Sequence, residues 1–143
     1  MLCPFCNHAE TKVTDKRDSG DVTRRRRECL KCGKRFTTYE RPDLELIVIK
    51  KDDRRVPYDR EKISLGIVKA CEKRPVSHEK IEKMINNIEA RLRTKGKEVK
   101  SSLIGSMIMK GLRKLDNVAY IRFASVYKDF TDVQDFKKEL KEL

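Results

Sequence analysis

Apolar positions recur along this chain in two rhythms, and the change between them marks its organisation. In residues 1–41 large apolar side chains are sparse; Leu2, Phe5, Val13, Val22, Leu30, Phe36 and Tyr39 are the main ones. The β-prone pieces Thr11 to Thr14, Val22 to Glu28 and Arg35 to Tyr39 predict strands, with Ser19-Gly20-Asp21 turning between the first two. Pro42 biases Arg41 away from helix, so Glu40-Arg41-Pro42-Asp43 reads as a hinge. Leu44 to Lys50 then predicts a strand, Lys51-Asp52-Asp53 a turn, and Arg54 to Tyr58 a return strand.

Beyond Tyr58 the period lengthens to that of a helix. Residues 60–73 align Ile63, Ile67 and Cys71; residues 78–93 align Ile81, Met84, Ile85, Ile88 and Leu92, with Ser77 as N-cap and Gly96 as the stop. Residues 100–115 repeat Ile104, Ile108, Leu112 and Leu115, and residues 117–130 repeat Ala119, Phe123, Tyr127 and Phe130. A last amphipathic piece carries Val133, Phe136, Leu140 and Leu143. Gly66, Gly105 and Gly111 fall inside helical patterns, where close helix contacts explain them. The expectation is an α+β chain: a small β module over 1–41, a linker over 42–46, and a helical bundle capped by a short β-hairpin over 47–143.

Length bounds this picture: 143 residues hold one domain or two small ones, which excludes a large multidomain enzyme. The run Leu46-Ile-Val-Ile49 is far shorter than a membrane span, and the start lacks a signal peptide's pattern, so a cytoplasmic protein without a membrane partner is expected. With 35 Lys+Arg against 23 Asp+Glu the net charge is +12. Polyanions are the partners to consider first. Residues 1–41 carry eleven cations against six carboxylates, the remainder 24 against 17.

Four of the five cysteines form two pairs, Cys3-Pro-Phe-Cys6 and Cys29-Leu-Lys-Cys32. Two such knuckles supply four thiolates to one tetrahedral zinc, and a cytosolic location disfavours disulfides as the alternative. Residues 1–41 are too poor in apolar groups to offset chain entropy, so bound metal supplies the missing folding free energy. Four thiolates leave no open coordination position, which makes the zinc structural. His8 reads as an exposed polar residue, and Cys71 as a buried thiol on a helix face.

Within the second predicted strand lie Arg24, Arg25, Arg26 and Arg27. Alternation places Arg24 and Arg26 on one face and Arg25 and Arg27 on the other. Crowded like charges on a thin module cost stability, which a nucleic-acid backbone relieves; Arg17, Lys34 and Arg35 widen that footprint. Phosphate-cradling, dinucleotide-binding and zinc-hydrolase motifs are all missing, which argues against an enzyme.

Taken in order, Cys-Pro-Phe-Cys, Arg-Arg-Arg-Arg-Glu-Cys-x-x-Cys, Arg-Phe-Thr-Thr-Tyr-Glu (35–40), Val-Ile-Lys-Lys-Asp (48–52), Ala-Cys-Glu-Lys-Arg-Pro-Val-Ser (70–77) and Ala-Tyr-Ile-Arg-Phe-Ala-Ser-Val-Tyr (119–127) resemble the NrdR family over nearly the whole length. These are bacterial transcriptional repressors of ribonucleotide reductase genes, built from a zinc ribbon and an ATP-cone. The resemblance implies that residues 1–41 bind double-stranded operator DNA. It also implies that 47–143 bind ATP or dATP as allosteric ligands without hydrolysis, changing the state of a homo-oligomer. Val48, Lys50 and Lys51 on the strand and Lys62 on the first helix would contact the nucleotide; three ammonium groups suit a triphosphate. Tyr120, Arg122 and Tyr127 fall in a family segment without a separable role. Asp53 stands where the cone pattern has Gly, and Val56 where it has Glu. The alternative is a non-specific nucleic-acid or polymerase-associated zinc ribbon.

Overall fold

Polar strands build the first of two units. The computed structural model describes residues 1–143, which divide into Met1–Asp43 and Leu44–Leu143. In the first, β1 (Thr11–Ser19), β2 (Val22–Cys29) and β3 (Arg35–Glu40) form an antiparallel sheet in the order β1-β2-β3. β1 runs five residues past its expected end at Thr14. Its second half carries no apolar alternation; cross-strand polar contacts hold it instead, with Asp15 against Arg24 (3.6 Å) and the Thr23 hydroxyl donating to Asp18 (2.7 Å). The register slips at Thr14, whose hydroxyl donates to the Arg26 carbonyl.

In the second unit, β4 (Ile47–Ile49) pairs antiparallel with β5 (Arg55–Pro57) and parallel with β6 (Glu98–Lys100). The strand expected over 44–50 is therefore only three residues long, while Leu46 is buried and Leu44 packs against the same core. β6 has no counterpart in the sequence pattern: it is three residues long, and Val99 alone is buried. At the β4–β5 turn Asp53 takes a left-handed φ of 62°, and Asp52 accepts the Arg54 N–H.

Five helices follow: α1 (Arg60–Ala70), α2 (His78–Arg93), α3 (Ser101–Leu115), α4 (Asn117–Tyr127) and α5 (Val133–Lys141). Ser77 caps α2 as expected, accepting the Lys80 N–H. That helix ends at Arg93 with Thr94 as its C-cap, and Gly96, with φ 101°, lies in the loop beyond rather than at the stop. α1 ends at Ala70, short of residue 73, because Arg122 of α4 donates to the carbonyls of Ala70 (3.4 Å) and Glu72 (2.6 Å) and Lys73 turns left-handed. Ile67, Ile85, Leu92 and Leu112 form the fully buried centre.

Two of the three helical glycines permit close crossings; at Gly66 a Cβ would meet only the Phe123 ring, at an ordinary 3.8 Å. A Cβ on Gly111 of α3 would sit 2.3 Å from the Met84 sulfur of α2, and one on Gly105 would sit 2.1 Å from the Tyr127 ring of α4. Arg60 ties the start of α1 to α2 through Glu82 and Asn86 (both 2.9 Å) and Glu89, and Tyr58 donates to Glu89 at 3.0 Å.

α5 departs from the expectation drawn from its apolar stripe. Val133, Phe136, Leu140 and Leu143 are exposed, and Glu139 is the residue it buries. The reason is a set of waiting donors: the Tyr120 hydroxyl of α4 and the Lys128 ammonium both bond the Glu139 carboxylate.

Candidate functional site

Cys3 and Cys29 each open a tight knuckle with the same backbone bonding. The Asn7 N–H donates to the Cys3 carbonyl (2.9 Å) and the Gly33 N–H to the Cys29 carbonyl (3.0 Å). The two opening cysteines donate their own N–H groups to His8 and Lys34. Asn7 (φ 56°) and Gly33 (φ 68°) both adopt the left-handed conformation that returns the chain, a role Asn fills more readily than most residues. Each knuckle thus turns two sulfurs toward one point.

The four sulfurs of Cys3, Cys6, Cys29 and Cys32 lie within 4.8 Å of one another, with Cys3–Cys32 at 3.7 Å and Cys6–Cys29 at 3.6 Å. Sulfurs bonded tetrahedrally to zinc at ~2.3 Å stand ~3.8 Å apart, whereas a disulfide needs ~2.05 Å. The donor set therefore fits a structural zinc and no disulfide. The backbone N–H of Cys32, aided by that of Lys31 against the opposing effect of burial, draws the Cys29 thiol down to about 6, while Cys6, despite the backbone bond from His8, is pushed up to about 12 by burial and by hydrogen bonds to the other three sulfurs. His8 lies outside the cluster, 3.9 Å from Glu10, and Cys71 is a buried thiol in the other unit.

Register sorts the ribbon's charges by face. Arg24 and Arg26 share theirs with Arg17 and Asp15 of β1 and with Tyr39 and Thr37 of β3; Lys12, Glu28 and Arg35 continue it. Five cations meet two carboxylates there. Arg26 is exposed and makes no side-chain bond, while Arg24 leans on Asp15 and Arg35 on Glu28 (2.7 Å). On the opposite face Arg25 pairs with Glu40, and Arg27 donates to the Thr38 hydroxyl at 3.1 Å. The predicted set Arg17, Arg24, Arg25, Arg26, Arg27 and Arg35 is thus split between two faces.

In the second unit Val48 is buried, its side chain part of the hydrophobic core. Lys50 opens the β4–β5 turn, half-buried, with its carbonyl accepting the Asp53 N–H. Lys51 is exposed, its ammonium 5.7 Å from the Tyr127 ring centre. Lys62 lies exposed in the first turn of α1, where its N–H donates to the Asp59 cap. Tyr127 spans toward α3, donating to the Ser102 carbonyl at 3.1 Å. Tyr120 and Arg122 are engaged internally, by Glu139 and by the end of α1.

The sequence reading did not single out a groove of about 680 Å³ between α2 and α3. Lys80, Lys83, Arg91, Lys110, Arg113 and Lys114 line it without a carboxylate. Helical spacing of 80, 83 and 91, and of 110 and 114, is the signal that would have found it. Arg74 and Asp116, joined at 3.0 Å, were likewise missed; that guanidinium holds Asp116 below the usual carboxylate range.

Comparison with known proteins follows the same division. Residues 1–40 match the family model described as the N-terminal domain of NrdR-like transcriptional repressors, and residues 46–133 match the ATP cone domain. The chain is 57% identical over 146 residues to the transcriptional repressor NrdR of Syntrophus aciditrophicus, covering 99% of this chain and 92% of that one. It is 57% identical over 147 residues to the NrdR of Myxococcus xanthus, covering 100% and 88%. With the NrdR of Petrotoga mobilis the identity is 54% over 147 residues, covering 100% and 98%. No helix is long and apolar enough to cross a membrane. A four-thiol ribbon followed by an ATP cone, alike over the full length, makes this chain a member of the NrdR family of transcriptional repressors, which are regulators and not enzymes.

Proposed function

We propose that this chain is a nucleotide-responsive repressor that acts on DNA in the cytoplasm. Its ribbon binds operator duplex upstream of ribonucleotide reductase genes, and ATP or dATP held by the second unit sets the oligomeric state and with it the affinity for DNA. The observation that carries the DNA half is the cationic face of the ribbon, where Arg24 and Arg26 stand with Arg17, Lys12 and Arg35 and Arg26 has no partner of its own. β-Strands can enter the major groove, where Arg reads guanine edges and neighbouring cations take phosphates. Arg25 and Arg27, bonded to Glu40 and Thr38, hold the opposite face of the sheet.

The nucleotide half is supported by the ATP cone match and by Lys50, Lys51 and Lys62, cations on the hairpin and the first turn of the adjacent helix. Control requires unequal nucleotide affinity for the assembly states, since equal affinity shifts nothing. Gel shift of a fragment from upstream of a reductase gene, against a scrambled duplex of the same length, tests the reading. Preferential retention of the promoter fragment is expected. Equal retention, with strong salt dependence, would instead favour a non-specific nucleic-acid-binding ribbon.

A further inference from the structure

Helix α2 divides its charges by face. Glu82 and Glu89 turn toward α1, where Arg60 takes both. At 3.6 residues per turn Lys80, Lys83 and Arg91 stand on the opposite side, along one rim of the groove between α2 and α3. Lys110, Arg113 and Lys114 form the facing rim, on a helix that has no acidic residue. Arg113 is engaged in part by the Glu142 carbonyl. The charged groups of Lys80, Lys83, Arg91, Lys110 and Lys114 make no ion pair or hydrogen bond within the chain, and no carboxylate lines the groove. Like charges facing one another with nothing to offset them repel, and a run of anions laid between them relieves that repulsion.

The floor of the groove says which anion fits. Met84 and Ile88 are 8% and 5% exposed and belong to the core, Met107 and Leu115 pack half-buried against it, and none of the exposed large apolar side chains lies here. An acidic amphipathic helix would therefore find little apolar surface to cover. A nucleotide is no better served: no aromatic ring lines the groove to stack a base, and Asn87 is its one uncharged polar side chain. The rim is also long. Lys80 and Arg91 are eleven residues apart on α2, ~16 Å at ~1.5 Å each. With one strand phosphate for every ~3.4 Å of duplex axis, that length passes about five phosphates, more than a nucleoside triphosphate carries. Cations in a row without base-reading groups suit a phosphodiester backbone held irrespective of sequence. We propose that the α2–α3 groove is a second duplex-DNA site of this chain, gripping the phosphates of one strand through Lys80, Lys83, Arg91, Lys110 and Lys114. The proposal rests on the reading of the chain as a DNA-binding repressor, and it adds to the ribbon face a sequence-independent contact on the ATP cone.

Fluorescence anisotropy of the zinc-loaded full chain in ATP plus dATP, over a salt series, tests the proposal on a duplex from upstream of a reductase gene and on a scrambled duplex of the same length. Lys83→Gln with Lys110→Gln is expected to keep the parent's circular dichroism and to lower the slope of log affinity against log salt by ~2 on both duplexes, leaving the ratio of the two affinities unchanged. Lys83→Arg with Lys110→Arg is expected to restore the parent's slope. Lys137→Gln with Lys141→Gln removes the same charge from α5, outside the groove, and is expected to leave the slope as it is. A parent that prefers the promoter duplex while the groove variant keeps its slope, or an α5 variant that lowers the slope as much, overturns the groove site and leaves the repressor reading standing. A groove variant that keeps the slope on DNA but loses the parent's binding of a labelled poly-glutamate peptide overturns it too, and gives the groove to an acidic polypeptide. A parent that binds neither duplex overturns the DNA-binding reading itself.

Discussion

Replacing Glu139 by Gln keeps the shape of the side chain and removes the charge that α5 turns inward. In the parent, the carboxylate is 5% exposed and takes one bond from the Tyr120 hydroxyl and two from the Lys128 ammonium, at 2.8 and 2.7 Å. Burial alone would raise its pKa, but Lys128 and then Tyr120 more than offset that and hold it below its ordinary value of 4.5. Removing one partner of a fully buried ion pair costs ~3–5 kcal/mol. Lys128 keeps about a third of its side chain in water, 37%, so its head can rehydrate. The loss is then nearer that of charge-assisted hydrogen bonds, and about 2 kcal/mol is expected. For a unit of this size each kcal/mol moves the melting temperature by ~4–8 °C, which places Glu139→Gln about 10 °C below the parent at pH 7.

The folded-state pKa is depressed, so this stabilisation is full above the unfolded value of 4.5 and fades as the pH falls through the folded one. Scanning calorimetry at pH 7 and again below pH 4 should show a gap that narrows with acid. Leu140→Gln is the contrast: an exposed residue whose loss should stay within ~0.5 kcal/mol. If Leu140→Gln lowers the melting temperature more than Glu139→Gln does, α5 docks by its apolar stripe and the inverted placement is wrong.

Other consequences are as direct. Cys29→Ser should lower bound zinc from one per chain to none by atomic emission and unfold residues 1–41, while amide signals from residues 44–143 keep their positions; full zinc retention would refute the four-thiolate site. Arg24→Gln with Arg26→Gln should cut the slope of log affinity against log salt by ~2 for operator duplex, and Arg25→Gln with Arg27→Gln by less, measured by fluorescence anisotropy. Equal slopes would show that both faces meet DNA. Gly105→Ala should destabilise the second unit by ~1–2 kcal/mol in urea, because a displaced Tyr127 ring loses its Ser102 bond and its stacking on Phe123, outweighing alanine's helix preference. A stabilised variant would contradict the crossing.

Features set by local chemistry were legible in the chain itself. The two knuckles, Ser77 as a cap, the helical stripes over 78–93 and 100–115, and the glycine crossings at Gly105 and Gly111 follow from spacing, and the structure carries all of them. Features set by a partner were not. β6 exists because Val99 adds to β4, and three residues carry no period of their own. The far half of β1 pairs with β2 through polar residues, Asp15 to Ser19 against Arg26 to Val22, which leave no apolar alternation to read. α5 misled for the same reason: a hydrophobic stripe predicts an inward face only when no satisfied carboxylate competes for it, and the donors on Tyr120 and Lys128 are visible only once α4 and α5 are packed. Strand parity separated Arg24 and Arg26 from Arg25 and Arg27, whereas the partners that occupy Arg25 and Arg27 needed the register.

The central claim is that nucleotide bound to the second unit controls DNA binding by the first. Its most direct test is the anisotropy of a labelled duplex from upstream of a reductase gene, titrated with zinc-loaded full chain at fixed salt in ATP alone and in ATP plus dATP. Affinity at least tenfold tighter with dATP present, and lost by Lys50→Ala with Lys62→Ala while zinc content is unchanged, is the predicted result. Identical affinity in both nucleotide conditions, with the duplex bound specifically, would contradict it.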